Sequence, residues 1–583
     1  MPTITVRNSD LARIQARFGV VHSPSMIAEG LEHIGCSVDR CDADEIEIEV
    51  FADRPDMLSA GTLAYATRCF LHGERARPDL DIADGDLELT VDPSLVDIRP
   101  VIYAAVVRGV DTGSNEEEQD DFIQALMDHQ EKLHFSLGRG RAKASIGVHD
   151  LSSLAAPLRV VSVGAEHAFI PLATREEMSI GQILEQHPKG VEYAHLLAGM
   201  NRFPLILDAN DAVLSFPPII NGDHTTVTET TRDFFIDVTG WDERACECSL
   251  LALCLAFTAR GGSIESVRIT DCNGAEFRMP NGRAVSHAVT LRLLTSMLGH
   301  EFSDEELDAA INRMGGRYIG RRTAESAAAT SAQRMADVIE GDVMLDFEMP
   351  RWRFDLLHPI DLVEEIAIGH GYDDLGRNVP RSPLHGAQLP ASDLHRRVSA
   401  SLQGLGLQQI QSLTLSNPVD QFERVRWGES GSSTRLSNPI TTEHTMLRQN
   451  LLPGLLKLLA ANRHHELPQR VYESGAVVVD HQNRSHIAWL VAERAGGFAA
   501  ARGMVQAFSR DMAVDRFALE PLDPGHGPWL EGRAAKIVIE GEKVGEVGEI
   551  DPAVAAEFEL RVPMHGCELD LDALGALVKD PVL

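Results

Sequence analysis

Lysine is scarce in this sequence: seven lysines stand against 46 arginines and 87 acidic residues in 583 positions. Aromatics are also few, at 5%. Cysteine appears eight times, never as a CxxC pair, with Cys246 and Cys248 one residue apart. That excludes a disulfide framework and the start of a zinc site, and reduced thiols are expected. Apolar runs are short. The longest, around residues 249–256, covers about a dozen residues with its flanks, below the ~20 a bilayer needs, so no membrane span is expected. The opening MPTITVRNSD shows no basic stretch leading into an apolar one, so no secretory signal is expected. A cytoplasmic protein is therefore expected. Internal repeats and low-complexity tracts are lacking too. What is present is ordinary globular composition, 44% hydrophobic and 24% charged. At roughly 150 residues per domain the length suggests about four domains.

The formal charge is −34. A chain this acidic repels polyanions in dilute salt. It either avoids nucleic acid or works in a very salty cytoplasm, where the Debye length falls to ~3 Å at 1 M. The acid is spread over the whole length and lysine is depleted, which favours salt adaptation.

Caps and periodicity divide the chain. In residues 1–75, Ser23 reads as an N-cap, Pro24 as the first helical residue and Gly35 as the helix end. Residues 45–50 alternate acids with Ile46, Ile48 and Val50, a strand. Asp53-Arg54-Pro55-Asp56 is a turn, and 59–72 a second helix. Residues 75–86 read as a linker. Between 87 and 270, strands are expected at 102–110, 146–149, 204–208, 213–216 and 234–239. An acidic helix opens at Asn115–Glu118, and 249–260 is a helix apolar all round, hence buried. A third unit, 276–375, has a helix capped by Ser286 and carrying Val289, Leu291 and Leu294. A capping box at Ser303–Glu306 opens a second helix. A strand follows at 343–349, then a helix from Asp361, a winged-helix-like set. The last unit, 390–583, begins with a helix capped by Ser392. Strands at 410–415 and 471–480 flank a helix at 452–462, which suggests an antiparallel sheet with flanking helices. The expected class is α+β multidomain.

The densest chemistry is Arg351-Trp-Arg-Phe-Asp355-Leu-Leu-His-Pro-Ile-Asp361-Leu-Val-Glu364-Glu365. If 351–355 is extended, Arg351, Arg353 and Asp355 share a side. Asp361, Glu364 and Glu365 share a helix face. The His358-Pro359 turn folds one against the other, so four carboxylates can converge. All-oxygen ligands suit Mg²⁺ or Ca²⁺ rather than zinc. Asp361-x-x-Glu364 is equally a helix-capping pattern with acids suited to the macrodipole, and spacing alone favours capping.

The stretch from Met349 to Asp373 resembles the B5 domain of the phenylalanyl-tRNA synthetase beta-subunit family, archaeal and eukaryotic type. In family order, Asp53-Arg-Pro-Asp-Met-Leu-Ser59 resembles its N-terminal motif. Leu214-Ser-Phe-Pro-Pro-Ile-Ile-Asn221 resembles its B3/B4 editing domain. Asn438-Pro-Ile with 443–456 resembles its catalytic-like core. The resemblance implies a B1-like domain at 1–75, B3/B4 at 87–270, B5 at 276–375 and a class II synthetase-like antiparallel core at 390–583. It implies an α2β2 assembly with an alpha subunit, ligating phenylalanine to tRNA(Phe) with ATP. It implies Mg²⁺ shared with the alpha subunit at Asp355, Asp361, Glu364 and Glu365, which raises the metal reading above the capping one. It also implies hydrolysis of mischarged tyrosyl-tRNA(Phe), with Ser215 and Asn221 placing the ester or the water. Pro217 to Gly222 is also plain turn chemistry, and Asn221-Gly222 suits a tight turn by itself. Arg470-Val-Tyr-Glu473 resembles an ATP-gripping motif, but the glycine-rich motif with its second arginine is missing from 480–583, so this core is expected to be catalytically inactive. Two other functions compete. A winged-helix DNA-binding regulator needs a basic recognition helix, whereas residues 303–314 carry four acids and one arginine. A free-standing tRNA deacylase has no use for the catalytic-like block. The composition predicts reversible loss of native fluorescence and circular dichroism on dialysis from molar KCl into dilute buffer; an unchanged spectrum contradicts salt adaptation.

Overall fold

The computed structural model describes residues 2–329, 337–376, 385–514 and 516–578. Two compact units emerge, Met1–Pro380 and Arg381–Leu583. Among the described residues no helix is long and apolar enough to cross a membrane. All eight thiols are free, seven of them buried.

Unit one opens with a three-stranded antiparallel sheet, Glu45–Val50 lying between Thr3–Arg7 and Cys36–Cys41. Ile46, Ile48 and Val50 are fully buried, as their alternation requires. Helix Pro24–Leu31 is capped by Ser23 as expected, but it ends at Leu31. Gly35 instead supplies a left-handed turn into Cys36–Cys41, where a Cβ would come within 2.7 Å of Arg54. Ser59 and Thr62 form a capping box opening Ala60–His72.

A ten-stranded mixed sheet follows. Its order runs Ile220–Asn221, Val213–Phe216, Phe203–Leu207, Leu158–Val163, Ile82–Val91, Ser263–Thr270, Val101–Arg108, Phe234–Gly240, Ala144–Asp150, with Glu276–Met279 also on Ser263–Thr270. Two expectations change here. Residues 82–86 are strand, not linker, because Ile82–Val91 pairs in parallel with Ser263–Thr270. Residues 276–279 close this sheet and do not begin the next unit. The apolar helix is longer than expected: Asp242 accepts from the Ala245 N–H and starts it at Glu243. Helix Glu243–Ala259 packs on Val101–Arg108, Phe234–Gly240 and Ala60–His72. Gly61 makes the helix approach possible, since a Cβ there would lie 2.9 Å from the Ala256 carbonyl.

The third set is antiparallel, Val343–Met349 between Val285–Thr290 and Arg317–Thr323. Leu291–Leu298, Asp304–Arg313 and Pro359–His370 accompany it. Ser286 lies inside a strand and caps nothing; Thr290 caps Leu291–Leu298 through the Leu293 N–H. The β-branched Val285, Val289 and Thr290 fit that strand. Residues 351–355 are turns rather than extended chain, because Pro350 has no N–H to continue a ladder. The third helix starts at Pro359, two residues early.

Unit two is a seven-stranded sheet, ordered Gln408–Gln409, Gln469–Val479, Gln482–Ala492, Met564–Asp570, Glu542–Ile550, Trp529–Ile539, Ala518–Pro521. All pairs are antiparallel except the first. Ile487, Trp489 and Val491 enter one core and Ala488, Leu490 and Ala492 another, so both faces are covered. Helix Pro390–Gly404 starts two residues before Ser392, and residues 410–413 are irregular rather than strand. Positions 579–583 lie outside the described residues.

Asn312 ties the Asp304–Arg313 helix to the segment after Ala60–His72. Its side chain accepts from the Ala76 N–H at 2.8 Å and donates to the Glu74 carbonyl at 2.9 Å. Asn312→Ala strands that buried N–H, and the expected loss is about 1–3 kcal/mol by denaturant unfolding in molar KCl. A loss under ~0.5 kcal/mol contradicts this bridging role.

Candidate functional site

A cavity of about 340 Å³ opens in the ten-stranded sheet region. Its walls are largely apolar, with Ile146, Val148, Phe216, Pro217 and Ile219 among them. The volume lies in the range of small-molecule sites. Ser215 and Asn221 both line it. They face each other across the Val213–Phe216 and Ile220–Asn221 pairing, and the Ser215 hydroxyl donates to Asn221 Oδ1 at 3.2 Å. The two residues picked out by the loop motif therefore meet at one point of the wall.

The cavity also has polar groups that no motif announces. Asp237 and Thr225 line it and are 1% exposed. His149, with no exposed surface, bonds both: Nε2 to Asp237 Oδ1 at 2.8 Å and Nδ1 to Thr225 Oγ1 at 2.7 Å. The signal available in the sequence is a charged residue inside the apolar strand Phe234–Gly240, since buried charge is costly without a use or a partner. Two arginines brace the walls. Arg141 donates to the Pro218 and Ile219 carbonyls at 3.2 and 2.9 Å and to Glu131 at 2.7 Å. The His134 hydrogen bond, with Arg141, holds the Glu131 carboxyl down to about 2 against the effect of burial. Arg99 is lowered to about 10 by burial and donates to Thr239, Ser145 and the Arg141 carbonyl.

The four acids from 355 to 365 are near neighbours with different tasks. Arg353, buried, donates through Nε and Nη2 to Asp355 at 2.9 and 2.5 Å. Through Nη1 and Nη2 it donates to Glu365 at 2.8 and 2.6 Å. Burial pushes the Asp355 carboxyl up, but the Arg353 guanidinium outweighs it and holds it below the usual range. Asp361 Oδ2 accepts from the Leu357 and His358 N–H groups, both at 2.6 Å, so it reaches back from the third helical position of a box whose N-cap is His358, and the expected Asp361–Glu364 box does not form. Glu364 is exposed and has no hydrogen bond or ion pair among the described residues. Its carboxyl is raised by partial loss of water around it and by the charges of Glu365, Asp53, Asp361 and Asp355. The oxygens are chemically suited to Mg²⁺. Yet Asp355 and Glu365 give theirs to Arg353, and no group of three or more His, Cys, Asp or Glu among the described residues is set to hold a metal. The fit to the ion on this chain is therefore partial, resting on Glu364 and the remaining oxygen of Asp361.

In unit two, Arg470 pairs with Glu493 at 3.0 Å, and Glu473, fully buried, takes Arg448 at 2.7 Å and the Ser412 hydroxyl at 2.6 Å. Both residues of the ATP-motif look-alike are held by other side chains of the same unit.

Comparison with known proteins places these parts. Residues 99–255 match the B3/4 domain, 287–372 the tRNA synthetase B5 domain, and 375–571 the phenylalanyl tRNA synthetase beta chain CLM domain. In this order they define an aminoacyl-tRNA synthetase chain. Phenylalanine--tRNA ligase beta subunits from Archaeoglobus fulgidus and Methanosarcina barkeri are each 36% identical, over 98% of this chain and 98% and 99% of theirs. That from Halorubrum lacusprofundi is 32% identical over 98% of this chain and all of its own. A crystal structure of an N-terminal fragment of the Pyrococcus horikoshii beta subunit superposes with a TM-score of 0.54 at 28% identity, covering 64% of this chain and all of that one. The chain belongs to the family of phenylalanine--tRNA ligase beta subunits.

Arg353→Met leaves the buried Glu365 and the half-buried Asp355 without their cation, and a loss of about 3–5 kcal/mol is expected by chemical denaturation. Glu364→Gln relieves like-charge crowding and is expected within ~0.5 kcal/mol of wild type. Equal effects for both contradict the assigned division of labour.

Proposed function

We propose that this chain is the non-aminoacylating beta subunit of an α2β2 enzyme that joins phenylalanine to tRNA(Phe) with ATP, and that it hydrolyses tyrosyl-tRNA(Phe) formed in error. Family membership supports the first part. The cavity carries the second: an apolar chamber with a carboxylate, a hydroxyl and an amide converging on it. An apolar synthetic pocket rejects one added hydroxyl only about a hundredfold, so a second, hydrolytic site has a use. In this reading the apolar walls hold the aromatic side chain. Ser215 and Asn221 orient the ester. Asp237 takes the proton of the attacking water as its oxygen adds to the ester carbonyl, and returns it to the ribose oxygen as the ester C–O bond breaks.

Phosphoryl and acyl-adenylate chemistry needs its cationic clamps free. Arg470 and Glu473 are engaged by Glu493 and Arg448, which supports assigning aminoacylation to the alpha subunit. The B5-matching set reads as winged-helix-like and unit two as a class II-like core kept as scaffold. Mg²⁺, when bound in the assembly, supplies positive charge, with Glu364 and Asp361 the ligands this chain offers and Arg353 fixing the frame around them. Cytoplasmic location follows from the reaction.

Aminoacylation in molar KCl is expected from the chain with its alpha subunit and not from the chain alone; activity alone overturns the division. Asp237→Asn is expected to slow deacylation of tyrosyl-tRNA(Phe) by the assembled enzyme about a hundredfold. An unchanged rate sinks the hydrolytic reading of the cavity.

A further inference from the structure

His149 has no place among the residues that line the cavity, yet both of its ring nitrogens are spent on residues that do. Nε2 meets Asp237 Oδ1 at 2.8 Å and Nδ1 meets Thr225 Oγ1 at 2.7 Å. The imidazole has no exposed surface, so no substrate touches it. Sheet register explains the reach. Asp237 stands opposite Gly147, and His149 lies two residues on along the same strand, on the same face. The imidazole crosses over Gly147 to the carboxylate. A Cβ at 147 would lie 2.3 Å from Asp237 Oδ1 and 2.7 Å from His149 Nε2. Position 147 therefore keeps open the space in which the two side chains bond. A carboxylate oxygen accepts only, so Nε2 is the donor in that bond.

We propose that His149 is a positioning residue for hydrolysis in this cavity: its Nε2–H fixes the rotation of the Asp237 carboxylate, and its Nδ1 anchors Thr225. The proposal rests on the hydrolytic reading of the cavity. A carboxylate turns about its last bond with little resistance. A proton acceptor that must meet one water in one orientation loses rate when it turns, because geometry precedes basicity in such steps. The buried hydrogen bond removes that freedom without placing the imidazole in the chamber. On the other flank, the Thr225 bond joins the loop after Asn221 to the strand Ala144–Asp150. One ring thus sets the spacing between two sides of the cavity.

The test uses the chain assembled with its alpha subunit, in molar KCl, with tyrosyl-tRNA(Phe) as substrate. A glutamine amide reaches where Nε2 stands, and an asparagine amide where Nδ1 stands. His149→Asn and His149→Phe are expected to lower kcat for deacylation about tenfold or more, with KM within about twofold. His149→Gln is expected to restore kcat to within about threefold of wild type, although its melting temperature falls with the others. Gly147→Ala, which crowds the bond without touching either partner's chemistry, is expected to lower kcat like His149→Asn. If the glutamine variant falls as far as the asparagine and phenylalanine variants, His149 is structural only and the proposal is overturned. Wild-type rates from the asparagine, phenylalanine or Gly147→Ala variant overturn it as well. If the wild-type assembly itself leaves tyrosyl-tRNA(Phe) intact, the hydrolytic reading fails and the proposal fails with it. That outcome is told apart by the unsubstituted control.

Discussion

One buried guanidinium organises the first unit. Arg353 is 3% exposed and holds Asp355 and Glu365 in two bidentate pairs. Arg54 is also buried: burial and the repulsion of Arg353 lower its proton affinity, but Asp56 and Asp355 outweigh both and hold it above the ordinary value. Two like charges persist there only because Asp56 pairs with Arg54 at 2.9 Å and the Ile34 carbonyl takes its third contact. Buried ion pairs of this kind are weak sources of net stability but strict about partners, since each charge left alone costs several kcal/mol. The Asp53–Asp56 turn and the 349–365 segment are thereby bound to one arrangement. The region with the densest acids owes its order to an arginine.

The cavity follows the same physics in a drier setting. Arg141 grips two carbonyls of its wall, Arg99 ties Ser145 to Thr239, and Asp237 is buried with a single strong donor. Networks of this type rigidify when satisfied, and low local dielectric makes each bond matter more. The apolar walls and the braced polar groups together enclose one chamber.

Much of the fold is legible where the signal is local. Ser23, Ser59, Asn115 and the Ser303–Glu306 box mark helix starts because capping needs only a few neighbouring residues. The alternation at 45–50 and 343–349 shows which side is buried. What escapes is set by remote partners. Residues 82–86 look like a linker until Ser263–Thr270 lies beside them, and Ser286 looks like a cap until Val343–Met349 pairs with it. The site divides in the same way. Ser215 and Asn221 sit in one short motif. Asp237 and His149 are 88 residues apart and meet only through strand register. The four acids are readable as acids, but neither the place of Asp361 as third residue of a helix capped at His358 nor the turn at 351–355 that lets Arg353 take two of them is.

The ten-stranded sheet has an order of assembly written into its connections. Ile82–Val91 is made early, but its neighbour Ser263–Thr270 emerges some way behind: Arg268 meets Glu88 across 180 residues. The strands that line the cavity, from Ala144–Asp150 to Phe234–Gly240, are all synthesised inside that interval. On a ribosome, the early strand waits with an unpaired edge while the chamber's own hairpins and sheet pairs become available. Closing so long a loop is slow, and an open strand edge invites wrong pairing in the meantime. A nascent chain of this protein therefore passes through a stage in which its pocket strands are complete and the sheet around them is still unsealed.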